Sequence, residues 1–587
     1  MSDSQSKELT QHAFLVVWGE FGQRLGLIPR LDTVKLHQKR YHHSPQRKVK
    51  EFLVATLAGL EYLKDISRSA HPLDQDLSVA QAWGETAWAD ASGVSRTLQS
   101  LTQAEAEQMV QVLDDFSQVF VDGEVNRALW LDGELRYYGD LTGLAVSKSS
   151  RTYPQVAYGH MDDRIRLGYQ AAVVSMDSPS YDRLWLSGHH HPGNWVSAQC
   201  AEEMILGAET CTKVRPWRRT ELLEQRLQKV VHYGLSLEQR LEERKAKVCQ
   251  AEQALEQVQQ QLKDQQRQVD QLSIQYQEHQ RPERPNSRLA AARKKLSTLQ
   301  ARQQRREKGL AKARRVMARN QELLDRHRVE QSDLENRLEG FRQDNLTNPH
   351  PVRAIFCLDA GFGTYENLAL SIEMGYEVYT KLNNWKIQNS LIKQVSAETT
   401  WTPVGSEAAM VCWPQHQLES FYYPLDVALE RFTHGDRVKH CLMVHFGATP
   451  VSQDLPAWFN CYARRQTIEA GIKESKQVFY LNRIKVRSLP AIYLQERFVL
   501  FAANYIRWAD AWLAKEASAE AFRLECLGMK ELVQVAANTS AEVIRNSESK
   551  LLRFSKQSAY ADKELKLPVI AFQLPLPLGK SYDFSSV

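Results

Sequence analysis

The residues of this 587-residue chain best suited to chemistry are densest in Tyr462-Ala-Arg-Arg465-Gln-Thr-Ile-Glu469-Ala-Gly-Ile-Lys-Glu-Ser-Lys476. On a helix advancing about 100° per residue, Tyr462, Arg465, Glu469 and Lys476 fall at about 0°, 300°, 340° and 320°, a single stripe. A phenol, a guanidinium, a carboxylate and an ammonium on one face suit phosphate. Arg forks onto the anion, Lys adds a point charge, Tyr donates a hydrogen bond and Glu reaches a cation held against the substrate. The plainer reading of these four residues is an exposed helix laced with intrahelical ion pairs. Further carboxylates stand where apolar runs end. Leu358-Asp359-Ala-Gly361-Phe362 closes a strand-like run, with Gly361 and Gly363 permitting close approach of backbone and substrate. Alone, such an Asp is more often a cap or turn former. Tyr138-Gly-Asp140-Leu-Thr142-Gly143 offers another carboxylate, and Asp132 in Leu131-Asp132-Gly-Glu134 competes with it. The run His189-His190-His191 invites a zinc reading, but three adjacent imidazoles on a strand cannot face one ion, and no Cys or acid completes a ligand spacing.

The spacing Tyr-x2-Arg-x3-Glu-x6-Lys resembles the signature of a large group of bacterial insertion-sequence transposases with an Asp-Asp-Glu active site, and every position matches here. In that family the Glu is the third metal ligand, while Tyr, Arg and Lys contact DNA phosphates near the transposon end. The resemblance implies those roles for Glu469, Tyr462, Arg465 and Lys476. The family's second Asp ends a strand and precedes a small residue, Gly and an aromatic, as Asp359 does. Its first Asp stands in an Asp-x-Thr element on the first core strand, which resembles Asp140 with Thr142 as its support. Many relatives carry another acid two residues earlier, where this chain has Tyr138. Gly168-Tyr-Gln170 and His191-Pro-Gly-Asn194 are similar to the family's Gln-bearing strand and Arg-Pro-Gly-Asn turn, with His191 a substitution and Asn194 a supporting residue.

The resemblance further implies an RNase H-like core in which Asp140, Asp359 and Glu469 hold two Mg²⁺ or Mn²⁺ ions for in-line displacement at phosphorus. Its partners would be double-stranded DNA, both transposon ends and target, and a second copy of the chain in a synaptic complex. The expected address is the cytoplasm, at the nucleoid. No ATP is implied, since Gly579-Lys580-Ser581 lacks the glycine a phosphate-cradling loop needs five residues earlier. Two other readings stand beside this one. The chain is then an RNase H-like nuclease that cuts without joining, or an inactive or host-adopted transposase kept as a DNA-binding, coiled-coil protein.

Several elements must position these residues. With 43% hydrophobic and 25% charged residues, the composition is that of an ordinary globular protein; no apolar run approaches membrane-spanning length, and the first ten residues do not read as a secretion signal. The eight cysteines form no C-x-x-C pair, which argues against a zinc ribbon or a disulfide framework. From 217 to 346 the pattern predicts a coiled-coil hairpin. Leu241, Val248, Leu255, Leu262 and Val269 recur every seven residues on one arm, and Leu289, Leu296, Leu310, Met317, Leu324 and Leu338 hold that period on the other. The break falls at Arg281-Pro-Glu-Arg-Pro-Asn286. Between Arg284 and Arg328 the second arm holds fifteen Lys or Arg against Glu307, Glu322 and Asp325, either a solvated face or a polyanion-binding one.

Residues 1–125 read as a helical, DNA-binding domain. Trp88 to Leu101 fits a helix-turn-helix whose second helix presents Ser95, Arg96 and Gln99 to a major groove. Strand-like runs at 128–138, 144–146, 164–176 and 183–186 place the first part of the core at 126–216, with the second part at 347–515 and a helical tail at 516–587. The predicted fold class is α/β: an RNase H-like mixed sheet interrupted by a long antiparallel coiled-coil hairpin and preceded by the helical domain.

Overall fold

The structure, a computed structural model, describes residues 6–568 other than 39–41, 148–151, 162–163, 517–523, 525–526, 546–548, 559 and 562. Gly579-Lys580-Ser581 and Cys526 lie outside the described residues. The chain divides into two compact units, residues 218–347 and everything on either side of them. Among the described residues no helix is long and apolar enough to cross a membrane.

The inserted unit is a pair of helices, Thr220–Glu278 and Arg288–Leu346, each 59 residues long and therefore on the order of 90 Å. The heptad positions form its seam: Leu237, Leu241 and Leu324 pack with Met317, and Val269, Leu289 and Ala292 pack with Leu272, Tyr276 and Leu296. The seam also holds polar groups that bond across it. Buried Gln265 donates to the Ala292 carbonyl at 3.3 Å, and His327 Nε2 meets the Val230 carbonyl at 2.8 Å. Exposed ion pairs, among them Arg314–Glu252, Arg328–Glu238 and Arg342–Glu224, lace the arms. They leave most of the basic stretch facing solvent.

The larger unit is built on one mixed sheet. After β1 (Ser6–Thr10) come β2 (Leu135–Ala145), β3 (Ala157–Met161), β4 (Arg164–Ser178) and β5 (Asp182–Pro192). Beyond the inserted unit follow β6 (Ala354–Leu358), β7 (Glu377–Leu382), β8 (Thr402–Pro403), β9 (Ala408–His416), β10 (Leu425–His434) and β11 (Arg437–Phe446). β4 pairs antiparallel with β2, β3 and β5, whereas β6 runs parallel to β2 and β7 parallel to β6. β11, β10, β9 and β8 then widen the sheet in antiparallel order beyond β7. A second sheet of four strands joins β1 to β12 (Ala541–Arg545), β13 (Ser549–Phe554) and β14 (Glu564–Pro568).

Several sequence expectations change here. The run 128–138 is not one strand: its first half closes the helix Gln103–Asp132, which Thr102 and Glu105 start with a capping box and Gly133 stops with φ 69°. Segments 135–138 and 144–145 belong to the single strand β2, which ends before Val146. The segment 516–587 is not purely helical, since the helix Met529–Asn538 leads into β12–β14, and β1 pairs with β12 across almost the whole chain length. The helical region 1–125 does not stand apart either. Phe21 and Tyr505 rings meet at 5.3 Å, and Phe120 stacks on Trp508 at 4.4 Å, so the helix Leu489–Glu516 is part of the same core. Residues 377–446, which the sequence reading put in the second part of the core without placing a strand there, supply β7–β11.

A buried ion cluster ties the widened sheet together. His445 on β11 is 0% exposed, and its ring nitrogens bond Asp426 and Glu377, each at 3.0 Å. Burial opposes these charges, yet the two carboxylates hold His445 above its ordinary range, while His445, Thr449 and Arg353 bring Glu377 down to about 2. Replacing His445 by Ala strands two buried acids and is expected to cost about 3–5 kcal/mol. The share carried by His445 is full below its ordinary range and lost as pH rises through its elevated folded value; that of Glu377 is lost only as pH falls toward 2. The gap in thermal midpoint between wild type and variant is therefore expected to be widest near about pH 5–6 and to narrow by about pH 9. A gap unchanged across that range would show that the cluster is not ionic.

Candidate active site

Strand register brings the first two acids together. β2 and β6 run parallel with Gly139 paired to Leu358, so the next residues along the two strands are Asp140 and Asp359. Asp140 stays within β2, its side chain 17% exposed, and accepts the Leu141 N–H at 2.8 Å. Asp359 follows β6 and begins the short turn Ala360–Phe362, with Gly361 facing Ser197. The competitor Asp132 is an exposed residue in the last turn of a helix, so the strand-end argument for it lapses.

The signature residues come from two helices rather than one, Leu455–Ala463 and Gln466–Gln477. Between them the amides of Arg465, Thr467 and Ile468 bond to carbonyls three residues back, at 3.1, 3.0 and 3.1 Å, a tighter turn that shifts the ideal 100° stripe. The result concentrates charge. The Arg465 guanidinium lies 3.6 Å from Asp140 Oδ2 and 3.4 Å from Asp359 Oδ1, and it bonds directly to Glu469 Oε1. Three carboxylates from β2, β6 and the second helix thus surround one cation.

Burial pushes the Asp140 carboxyl up to about 6, opposed by Arg465 and assisted by Asp359. Burial likewise disfavours the Arg465 charge, but Tyr462, Asp359, Asp140 and Glu469 outweigh it and hold that group above its ordinary value. The donors are all hard oxygens, as Mg²⁺ or Mn²⁺ require, and the shared guanidinium marks a place that already accommodates positive charge. The three are not drawn as tightly as a single-ion cluster. Among the described residues the group with ligand atoms all within 4.8 Å is His191, Cys200 and Glu203 instead. The oxygen donors are of the type that hard divalent cations take.

Other expected residues have varied fates. Tyr462 is buried, its ring flanked by Lys381 at 5.3 Å and Arg465 at 5.8 Å, so it positions Arg465 rather than facing solvent. Lys381, which pairs with Glu430 at 2.7 Å, has no sequence signal that singles it out. Lys476 sits half-buried in the last turn of its helix. That helix is clamped onto β5 by Arg183, which donates to the Thr467 carbonyl at 2.6 Å and pairs with Glu474 at 3.3 Å. Gly471 makes the contact possible, since a Cβ there would stand 2.7 Å from Trp185. Thr142 is buried and lines a cleft of about 460 Å³ with Tyr158, Gln170, Asn194 and Trp195. Gln170 holds the turn carrying Asn194, donating to the carbonyls of His160 at 2.9 Å and Gly193 at 3.4 Å. Away from this site, Asp90 caps the helix Ala91–Gln99, whose Arg96 and Gln99 are exposed and whose Ser95 is half-buried.

The histidine run also departs from expectation. Strand alternation sends His190 to Glu496 at 2.6 Å, while His191 meets Glu203 at 2.5 Å beside Cys200. An acid and a thiol do complete a ligand set, through a loop whose return no spacing rule describes. No family model and no curated protein matches the chain.

Proposed function

We propose that this protein is a DNA transposase that cleaves and joins transposon ends by phosphoryl transfer at an Asp140–Asp359–Glu469 centre. The observation that carries the reading is the convergence of these three carboxylates, drawn from distant parts of the chain, on Arg465. A sheet in which β4 runs antiparallel to β2 and β5 antiparallel to β4 on one side, while β6 and β7 run parallel to β2 on the other, supports an RNase H-like core. Two bound Mg²⁺ or Mn²⁺ ions would supply a nucleophile at neutral pH and charge stabilisation for in-line displacement. Asp140, Asp359 and Glu469 would hold them. Arg465 then turns from the carboxylates to a DNA phosphate, with Tyr462 stacked behind it and Lys476 further along the same helix as a second phosphate contact. Ser95, Arg96 and Gln99, on a capped helix, would contact the duplex, and a second copy of the chain would complete a synaptic complex at the nucleoid.

The decisive experiment incubates the full chain with duplexes bearing the inverted repeats that flank its gene, in Mg²⁺, and follows both end cleavage and joining to a target. Joined products are expected. Released ends without joining would favour a nuclease, and neither product would favour an inactive DNA-binding protein. The exposed basic stretch of the inserted unit contributes non-specific affinity. Changing Arg302, Arg305 and Arg306 together to Glu is expected to weaken duplex binding and to lower the slope of log K against log salt by about 0.9 per lost phosphate contact. Unchanged affinity and slope would return this stretch to a merely solvated face.

A further inference from the structure

We propose a second metal site, for a borderline transition ion of the zinc class, formed by His191 at the end of β5 and by Cys200 and Glu203 at the start of the helix Ala201–Thr212. Their ligand atoms lie within 4.8 Å of one another. The donors are nitrogen, sulfur and oxygen, a mixture that suits Zn²⁺ and excludes Mg²⁺ or Ca²⁺ as the preferred occupant. This set is distinct from the all-oxygen triad and does not depend on the transposase reading.

Each ligand is held by the fold. His191 stacks on Trp195 with ring centres 4.9 Å apart and planes 4° from parallel, which aims Nε2 at Glu203 Oε1, 2.5 Å away. Cys200 is 0% exposed, and its thiol faces the Val196 carbonyl at 3.6 Å. Cys200 and Glu203 are three residues apart at a helix start and so share a face. A further donor stands on the same side of β5. His189 is two residues from His191, and its Nε2 is buried without a hydrogen-bond partner, near where a Cβ on Gly207 would sit. Gly207 is one turn beyond Glu203, so β5 and this helix face each other along both imidazoles. A buried imidazole nitrogen with no partner within the fold costs free energy unless water or an ion meets it.

The site has a structural purpose open to it. It staples the loop 192–200 to both β5 and the helix, and Ser197 in that loop faces Gly361, two residues from Asp359. Binding exchanges the Cys200 thiol proton for the ion and releases that proton to solvent, without change of oxidation state.

The test uses the full chain, stripped by chelator and titrated with Co²⁺ as a spectroscopic stand-in for Zn²⁺. Expected is one Co²⁺ per chain with thiolate-to-cobalt charge-transfer absorption, displaced by Zn²⁺. The band should vanish in Cys200→Ser, persist in Cys461→Ser and persist in Asp359→Asn, which separates it from the other thiols and from the carboxylate triad. Zn²⁺ affinity should fall by more than about 100-fold in His191→Ala, beyond what outer-shell losses cost. Should Cys200→Ser fail to fold, His191→Ala carries the decision, because its ring, at the end of β5, is less buried than the Cys200 thiol. Absence of a thiolate band in the wild type, or its survival in either ligand variant, overturns the proposal.

Discussion

Replacing any one of Asp140, Asp359 or Glu469 by its amide is expected to reduce end cleavage and joining by about 10³-fold or more, and replacing all three to cost little beyond that. Non-additivity follows from the proposed centre, in which the carboxylates would act as a unit and losing one charge would disable the cation pair held by the others. Loss of fold is separable from loss of function at Asp140. Its carboxyl is raised to about 6, so ionisation there costs stability above that pH, and the cost disappears as pH falls below the ordinary Asp value. Asp140→Asn is therefore expected to keep or raise the thermal midpoint at about pH 8 while remaining inactive, with no such gain at about pH 4. Asp132→Asn, in an exposed helical turn, should leave activity intact. Activity within about tenfold of wild type in any triad amide would sink the assignment.

How much of this was legible in the sequence depends on the range of the interaction involved. The hairpin was, to within a residue at its ends, because its heptads encode local period and seam together. The pairing of Asp140 with Asp359 was legible only as two strand-like runs ending in Asp. The register that sets Gly139 beside Leu358 is a contact across more than 200 residues that no local pattern specifies. The helical stripe from Tyr462 to Lys476 pointed to Arg465 and Glu469, which the fold sets against Asp140 and Asp359, but with an idealised geometry. What it could not contain is the tight turn at Arg465, which arises where Arg183 and Trp185 clamp the second helix against β5. β9 to β11 escaped notice because the buried stretches of β10 and β11 carry Asp426, Glu430 and His445, whose partners lie on other strands. The same limit applies to His191. Its ligand-like neighbours are nine and twelve residues on, and a turn plus a helix start, not periodicity, returns them.

Arg465→Ala is expected to lower end cleavage by about 10²–10³-fold, the usual cost of removing one preorganised electrostatic contact, while tightening Mn²⁺ binding to the DNA-free protein. The two effects oppose because the guanidinium touches all three carboxylates and so competes with cations for them. A unit charge about 4 Å from another is worth about 4 kcal/mol at an effective dielectric of 20, so even a partial release of this repulsion amounts to at least about tenfold in cation affinity. Arg465→Lys separates charge from shape. An ammonium keeps the repulsion but cannot fork across three acids or onto a phosphate, so it should restore weak cation binding and recover little cleavage. Titration of Mn²⁺ by calorimetry, beside cleavage rates at saturating metal, reads both. If Arg465→Ala binds Mn²⁺ no better than wild type, the guanidinium does not share the cation site. Its place among Asp140, Asp359 and Glu469 would then be a structural ion cluster, and the two-cation centre would lose its main support.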